Sequence, residues 1–148
     1  MTDIENRPAV AVPPLFWVVG IVSVLWNSIG AYDYTMTQLR SSAYLANVAP
    51  GTIAWIDTFP AWATAAWALG VWASLIGALL FLARSRHAAA VYIVSLVGAV
   101  VSFSYQFTHN PPAVMRTGSG IAIPVVIVAA IVMFWWFARK MTARGVLA

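Results

Sequence analysis

The sequence predicts an all-α polytopic membrane protein, a single bundle of four transmembrane helices with both termini in the cytoplasm. Three observations carry this. Four apolar runs, 14–36, 61–83, 88–108 and 120–138, hold one ionised side chain between them, Asp33, and each is close to the roughly 20 helical residues that cross a hydrocarbon core. Hydrophobic residues make up 62% of the chain and charged residues 8%, too few polar groups to cover a water-exposed surface. Finally, Arg7, Arg84, Arg86, Arg139, Lys140 and Arg144 fall on one side of the threaded chain and only Arg40 and Arg116 on the other. The positive-inside rule makes the richer side cytoplasmic. Four spans and their connections use nearly all of the 148 residues, so one domain is expected.

The segment Met1 to Pro13 carries Asp3, Glu5 and Arg7 and has neither the basic start nor the small-residue cleavage site of a secretory signal. The first span is therefore expected to stay in the mature protein. Pro13-Pro14 opens that span and Pro60 the second, positions where a missing N–H costs little. The connection 38–60 is too long for a minimal turn and too apolar for a solvated one, with Tyr44, Leu45, Val48, Ile53, Trp55, Ile56 and Phe59. Part of it should lie at the interface or cap the bundle, broken in two by Pro50-Gly51. Arg84-Ser85-Arg86-His87 forms a tight turn into the third span, which Pro111-Pro112 ends. Pro124 falls about one turn inside the fourth, where a small local kink or a later helix start at Ile121 to Ile123 is expected. Trp17 and Trp135-Trp136 mark one headgroup level, Trp55 and Trp62 the other.

Within the bilayer, Ala66, Gly70, Ser74 and Ala78 repeat every four residues and make the second span's packing face, since small residues let helix backbones approach closely. The fourth span, apolar all round, reads as a wall with extensive lipid contact. The first is polar on one side: Ser23, Asn27, Gly30 and Tyr34 form one stripe and Trp26, Gly30, Asp33 and Thr37 another. The third offers a matching stripe of Ser95, Ala99, Ser102, Gln106 and His109. Asp33, Tyr34, Gln106 and His109 then share a depth near the outer leaflet, with Asn27 and Ser102 deeper.

Two readings stand open. These side chains form a ligand pocket in which Asp33 and His109 pair, or they are a hydrated helix end and interhelical glue. Trp26 and Trp72, mid-span, likewise read as an aromatic wall for a lipid tail, quinone, pigment or sugar ring, or as packing.

The chain has no cysteine and two histidines, His87 and His109, which the threading separates by roughly the 30 Å of a bilayer core. No shared metal or haem site, nucleophile elbow, phosphate loop or close carboxylate pair is evident. The expectation is a protein without catalytic residues, metal or resident cofactor, although a bound lipid, quinone or pigment fits. Its basic residues serve topology rather than nucleic-acid binding. The run Leu25-Trp26-Asn27-Ser28-Ile29-Gly30-Ala31-Tyr32-Asp33-Tyr34-Thr35-Met36-Thr37, followed by Phe59-Pro60-Ala61-Trp62, resembles a group of small proteobacterial four-helix inner-membrane proteins, some labelled sugar transporters. That resemblance implies a bacterial inner membrane. Two functions follow: an accessory or scaffold subunit of a larger membrane complex, or a small-solute or lipid carrier using the outer polar pocket, as a homo-oligomer.

Overall fold

The structure, a computed structural model, describes residues 11–148; Asp3, Glu5 and Arg7, which the threading places at the terminal end, lie outside them. It is an all-α four-helix bundle, with no strand among the described residues. The long helices are α1 (Pro14–Gln38), α4 (Ala61–Leu82), α5 (Ala88–Thr108) and α6 (Gly118–Ala143). Two short helices, α2 (Ser42–Leu45) and α3 (Thr52–Ile56), fill the first long connection, and a 3-10 turn (Ala113–Arg116) fills the second. The four long helices have the length and hydropathy to cross a membrane. Their outer faces are large and apolar, Ile21, Leu79, Val97 and Val125 each being more than half exposed, and a surface of that extent marks a lipid-facing protein.

Helix ends differ from the apolar runs in an instructive way. α6 begins two residues before the expected span and continues five residues past it, through Arg139 and Lys140, because hydropathy reports only the part in hydrocarbon. The stop signal is the backbone: Gly145 adopts φ 71°, Gly145 N donates to Thr142 O and Val146 N to Met141 O. This is a Schellman cap, closed by the buried pair Met141 and Val146. α1 and α4 end in the same way, with Arg40 and Arg84 in the left-handed position. Pro50-Gly51 separates α2 from α3, with Gly51 at φ 81°.

Packing runs in the order α1, α4, α5, α6, and α1 does not pack directly on α5. The α4–α5 seam is built on small residues. A Cβ built on Gly98 would stand 2.5 Å from Gly70 N and 2.8 Å from Ala66 O, so the backbones cross almost in contact, and Ser95 Oγ donates to Gly70 O at 2.6 Å. α1 packs on α4 through Gly20, Ser23, Asn27 and Ala31, where Ser74 Oγ donates to Asn27 Oδ1 at 2.6 Å and Asn27 Nδ2 to Ser23 O at 2.7 Å. Such bonds contribute about 1 kcal/mol or less in a membrane, but they fix the register of the two helices.

The apolar core sits at the terminal end. Phe16 stacks on Phe81 at 4.4 Å, Phe81 meets Phe137 at 5.8 Å and Tyr92 meets Phe134 at 6.0 Å, so all four long helices share one aromatic cluster. Val146 and Leu147 are buried against it. The tail is tied down by Ala148 N donating to Arg84 O, Arg86 N to Ala148 O and Arg84 Nε to Val146 O.

Candidate functional site

Beyond that cluster the helices enclose a cavity of about 570 Å³ in the loop-end half of the bundle. Its deep end is formed by Asn27, Gly70, Ser74, Ala99 and Ile131, all near mid-helix. Its mouth-side walls are Trp26, Gly30 and Asp33 of α1, Trp67 of α4, Ser102, Phe103 and Gln106 of α5, and Ile123, Pro124 and Ile127 of α6. Tyr44, Val48, Thr52, Trp55 and Phe59 roof it. From Asn27 to Thr37 is ten residues, about 15 Å of helix axis, or half a hydrocarbon core. The cavity exists because α1 and α6 barely meet, while the Gly70–Gly98 crossing draws α4 and α5 together at its back.

Of the residues singled out from the sequence, Asn27, Asp33, Ser102, Gln106 and Trp26 line this space. Tyr34 stands behind the wall, edge-on to Trp67 with centroids 4.9 Å apart. His109 also lies outside, stacked on Tyr105 at 4.0 Å, with Nδ1 3.0 Å from Tyr105 O and 2.9 Å from Thr108 Oγ1. Of the two open readings, the one that pairs Asp33 with His109 is not realised: α1 and α5 face each other across the cavity rather than in contact, and Asp33 accepts a hydrogen bond from Tyr44 Oη instead. Trp72 is on the outer surface in a stripe with Leu69, Ile76 and Leu79. Ala66, Gly70, Ser74 and Ala78 do face the interior, Ala66 in part. α6 is a wall in two senses, lipid-facing through Val125 and Val126 and cavity-facing through Ile123, Ile127 and Ile131.

The roof is fastened at three points. Tyr44 reaches Asp33, Arg40 pairs with Asp57 across the ends of α1 and α3, and Trp55 Nε1 donates to His109 O at 2.8 Å. The Arg40–Asp57 pair is solvent-exposed, so it positions the chain and adds little stability. Trp55, Phe59, Tyr105 and Trp62 pack edge to face beneath it.

Sequence reasoning did not find the polar atoms of the roof. Thr52 is 7% exposed, lines the cavity, and its Oγ1 has no hydrogen-bond partner among the described residues; a buried, unsatisfied hydroxyl costs about 1–3 kcal/mol unless something meets it. Pro124, which the sequence marks only for the course of its helix, also lies on the cavity wall. Lacking an N–H, it cannot bond the carbonyl of Gly120 four residues back, and both residues line the cavity. Gln106 Nε2 donates to Ser102 Oγ at 2.9 Å, which leaves its carbonyl oxygen and second N–H for a ligand. Among the lining residues Asp33 has the sole carboxylate, and there is no lysine, arginine or histidine.

The hydrogen bond to Asp33, helped by partial burial and the carboxylate's charge, pushes the Tyr44 phenol up from 10.0 to about 12. A phenol raised in the folded state favours folding fully below its unfolded value near 10, and that contribution is lost as the pH climbs through about 12. Titrating phenolate absorbance should therefore show Tyr44→Phe losing one phenol from the high-pH part of the wild-type curve. An unchanged upper portion would mean that the Asp33–Tyr44 bond does not form.

No protein-family model matches the chain, and neither does any curated protein or solved structure.

Proposed function

We propose that the protein is a non-enzymatic lipid-binding carrier of the bacterial inner membrane, holding one amphiphile in the loop-end cavity with its arginine-rich end in the cytoplasm. The observation that carries this is Thr52, an unpaired hydroxyl in the roof of a space whose α6 side is isoleucine and proline. A molecule with a polar head under Thr52, Asp33 and Gln106 and an apolar body along Ile123, Ile127 and Ile131 would satisfy both ends. The head should be neutral or cationic, because the only charge on the wall is Asp33 and the nearby cations are occupied elsewhere, Arg40 with Asp57 and Arg116 Nε with Pro111 O. A hydroxylated lipid, a quinol or an amine-bearing amphiphile has that chemistry. The orientation rests on the basic-residue asymmetry, and the bacterial assignment on the likeness of the first span to the proteobacterial group.

One observation favours the accessory-subunit reading. The Trp72 indole stands mid-span on the outer face, where an N–H has no headgroup to reach, and a partner helix laid along Leu69, Trp72 and Ile76 would supply an acceptor.

Purification in mild detergent followed by mass analysis of extracted lipid separates the two. A carrier should retain about one neutral or cationic amphiphile per chain, and Asp33→Asn combined with Thr52→Val should lower occupancy at least about tenfold, as expected for losing a charge-assisted bond and a neutral one. Lipid-free protein that brings down stoichiometric foreign subunits, and loses them in Trp72→Ala, would support the accessory role instead.

A further inference from the structure

The terminal end of the bundle carries a second concavity unconnected with the cavity above, an open groove of about 590 Å³ between the start of α5 and the end of α6. Arg86 and Arg139 flank its outer end, Trp135 and Thr142 form one side, and Ala90 and Ile93 continue it along α5. Neither guanidinium pairs with a carboxylate among the described residues, and the described acidic side chains, Asp33 and Asp57, belong to the loop end. Arg139 lies over the Trp135 ring at 5.3 Å, which holds it at the headgroup level that indoles prefer. Ile93 is five residues into α5, about 8 Å below that level, so the groove is cationic where a headgroup sits and apolar where an acyl chain begins.

We infer that this groove binds one anionic phospholipid from the leaflet at the arginine end, its phosphate held between Arg86 and Arg139 and an acyl chain against Ala90 and Ile93. Guanidinium forks match phosphate oxygens in pairs, and clustered cations between membrane helices select acidic headgroups. A zwitterionic lipid gains less, because no described acidic side chain at this end meets its ammonium.

The test is native mass spectrometry of delipidated full-length protein in detergent, titrated with phosphatidylglycerol and separately with phosphatidylcholine. Wild type should bind one phosphatidylglycerol in preference to phosphatidylcholine. Arg86→Gln with Arg139→Gln should weaken that binding at least about tenfold, each surface arginine being worth about fivefold. Arg144→Gln, which removes a charge from the same end but does not line the groove, should cost clearly less than the double variant, because it removes no fork to the phosphate. Ala90→Phe keeps both arginines and blocks the acyl bed, and should lose the preference as well. Both arginines and Ala90 are exposed, so an unchanged thermal unfolding midpoint is expected to certify the fold. The inference is overturned if the double glutamine variant or Ala90→Phe binds phosphatidylglycerol as wild type does. It is equally overturned if Arg144→Gln loses as much as the groove variants, or if inorganic phosphate alone binds as tightly as phosphatidylglycerol does.

Discussion

Replacing Gly98 with leucine is expected to open the α4–α5 hairpin and destabilise the bundle by about 3 kcal/mol or more, beyond the upper end of ordinary overpacking. The reason lies in what a side chain would meet. The Cβ position of Gly98 is 2.5 Å from Gly70 N, 2.8 Å from Ala66 O and 3.0 Å from Gly70 Cα, all backbone atoms that no rotamer change can move. A larger residue must drive the helices apart, breaking the 2.6 Å bond from Ser95 to Gly70 O and the dispersion contacts that replace the hydrophobic effect in lipid. Gly98→Ala should already cost a measurable fraction of this. Gly30→Ala is the matched control: its added Cβ meets nothing within 4 Å, and exchanging a helical glycine for alanine is neutral or favourable by about 0.5–1 kcal/mol. Mixed-micelle unfolding with increasing anionic detergent gives both values on one scale. If Gly98→Leu unfolds at the wild-type detergent fraction, the close crossing is wrong.

This contrast also shows what the sequence could and could not reveal. The spans were legible because a bilayer demands apolar length, and the packing face of α4 because Ala66, Gly70, Ser74 and Ala78 repeat at four-residue spacing. Gly98, equally decisive, was hidden, since a single glycine in an apolar helix carries no period of its own. The polar stripes of α1 and α5 were legible as stripes, and Asn27, Asp33, Ser102 and Gln106 do line one space. Whether two stripes touch or face each other across a gap depends on a third element, and here α4 lies between them. That is why Asp33 meets Tyr44 and His109 meets Tyr105. Thr52 was illegible for a further reason: nothing local distinguishes a buried threonine in a capping turn from a hydrated one until the roof is folded over the cavity.

Gly30→Phe should uncouple folding from binding, and it is the most direct trial of the cavity itself. Gly30 is on the cavity wall between Asn27 and Asp33, and a Cβ built on it meets nothing beyond its own helix backbone within 4 Å. A phenyl ring placed there occupies volume that the bundle leaves open, without touching the aromatic cluster at the other end or the Gly70–Gly98 crossing. Stability should therefore stay within about 1 kcal/mol of wild type, the scale of a helical glycine replacement. Occupancy by a co-purifying amphiphile should fall at least about tenfold, because a well-packed site cannot admit both ring and ligand without overpacking. Ile21→Phe, on the lipid-facing side of the same helix at 53% exposure, adds the same ring to the bilayer and should leave both quantities alone. A Gly30→Phe protein that keeps its full complement of lipid would show that the retained molecule sits elsewhere. One that unfolds would mean that α1 and α6 close on each other, so that the space is filled by packing. Either outcome would leave the unpaired hydroxyl of Thr52 in need of another partner.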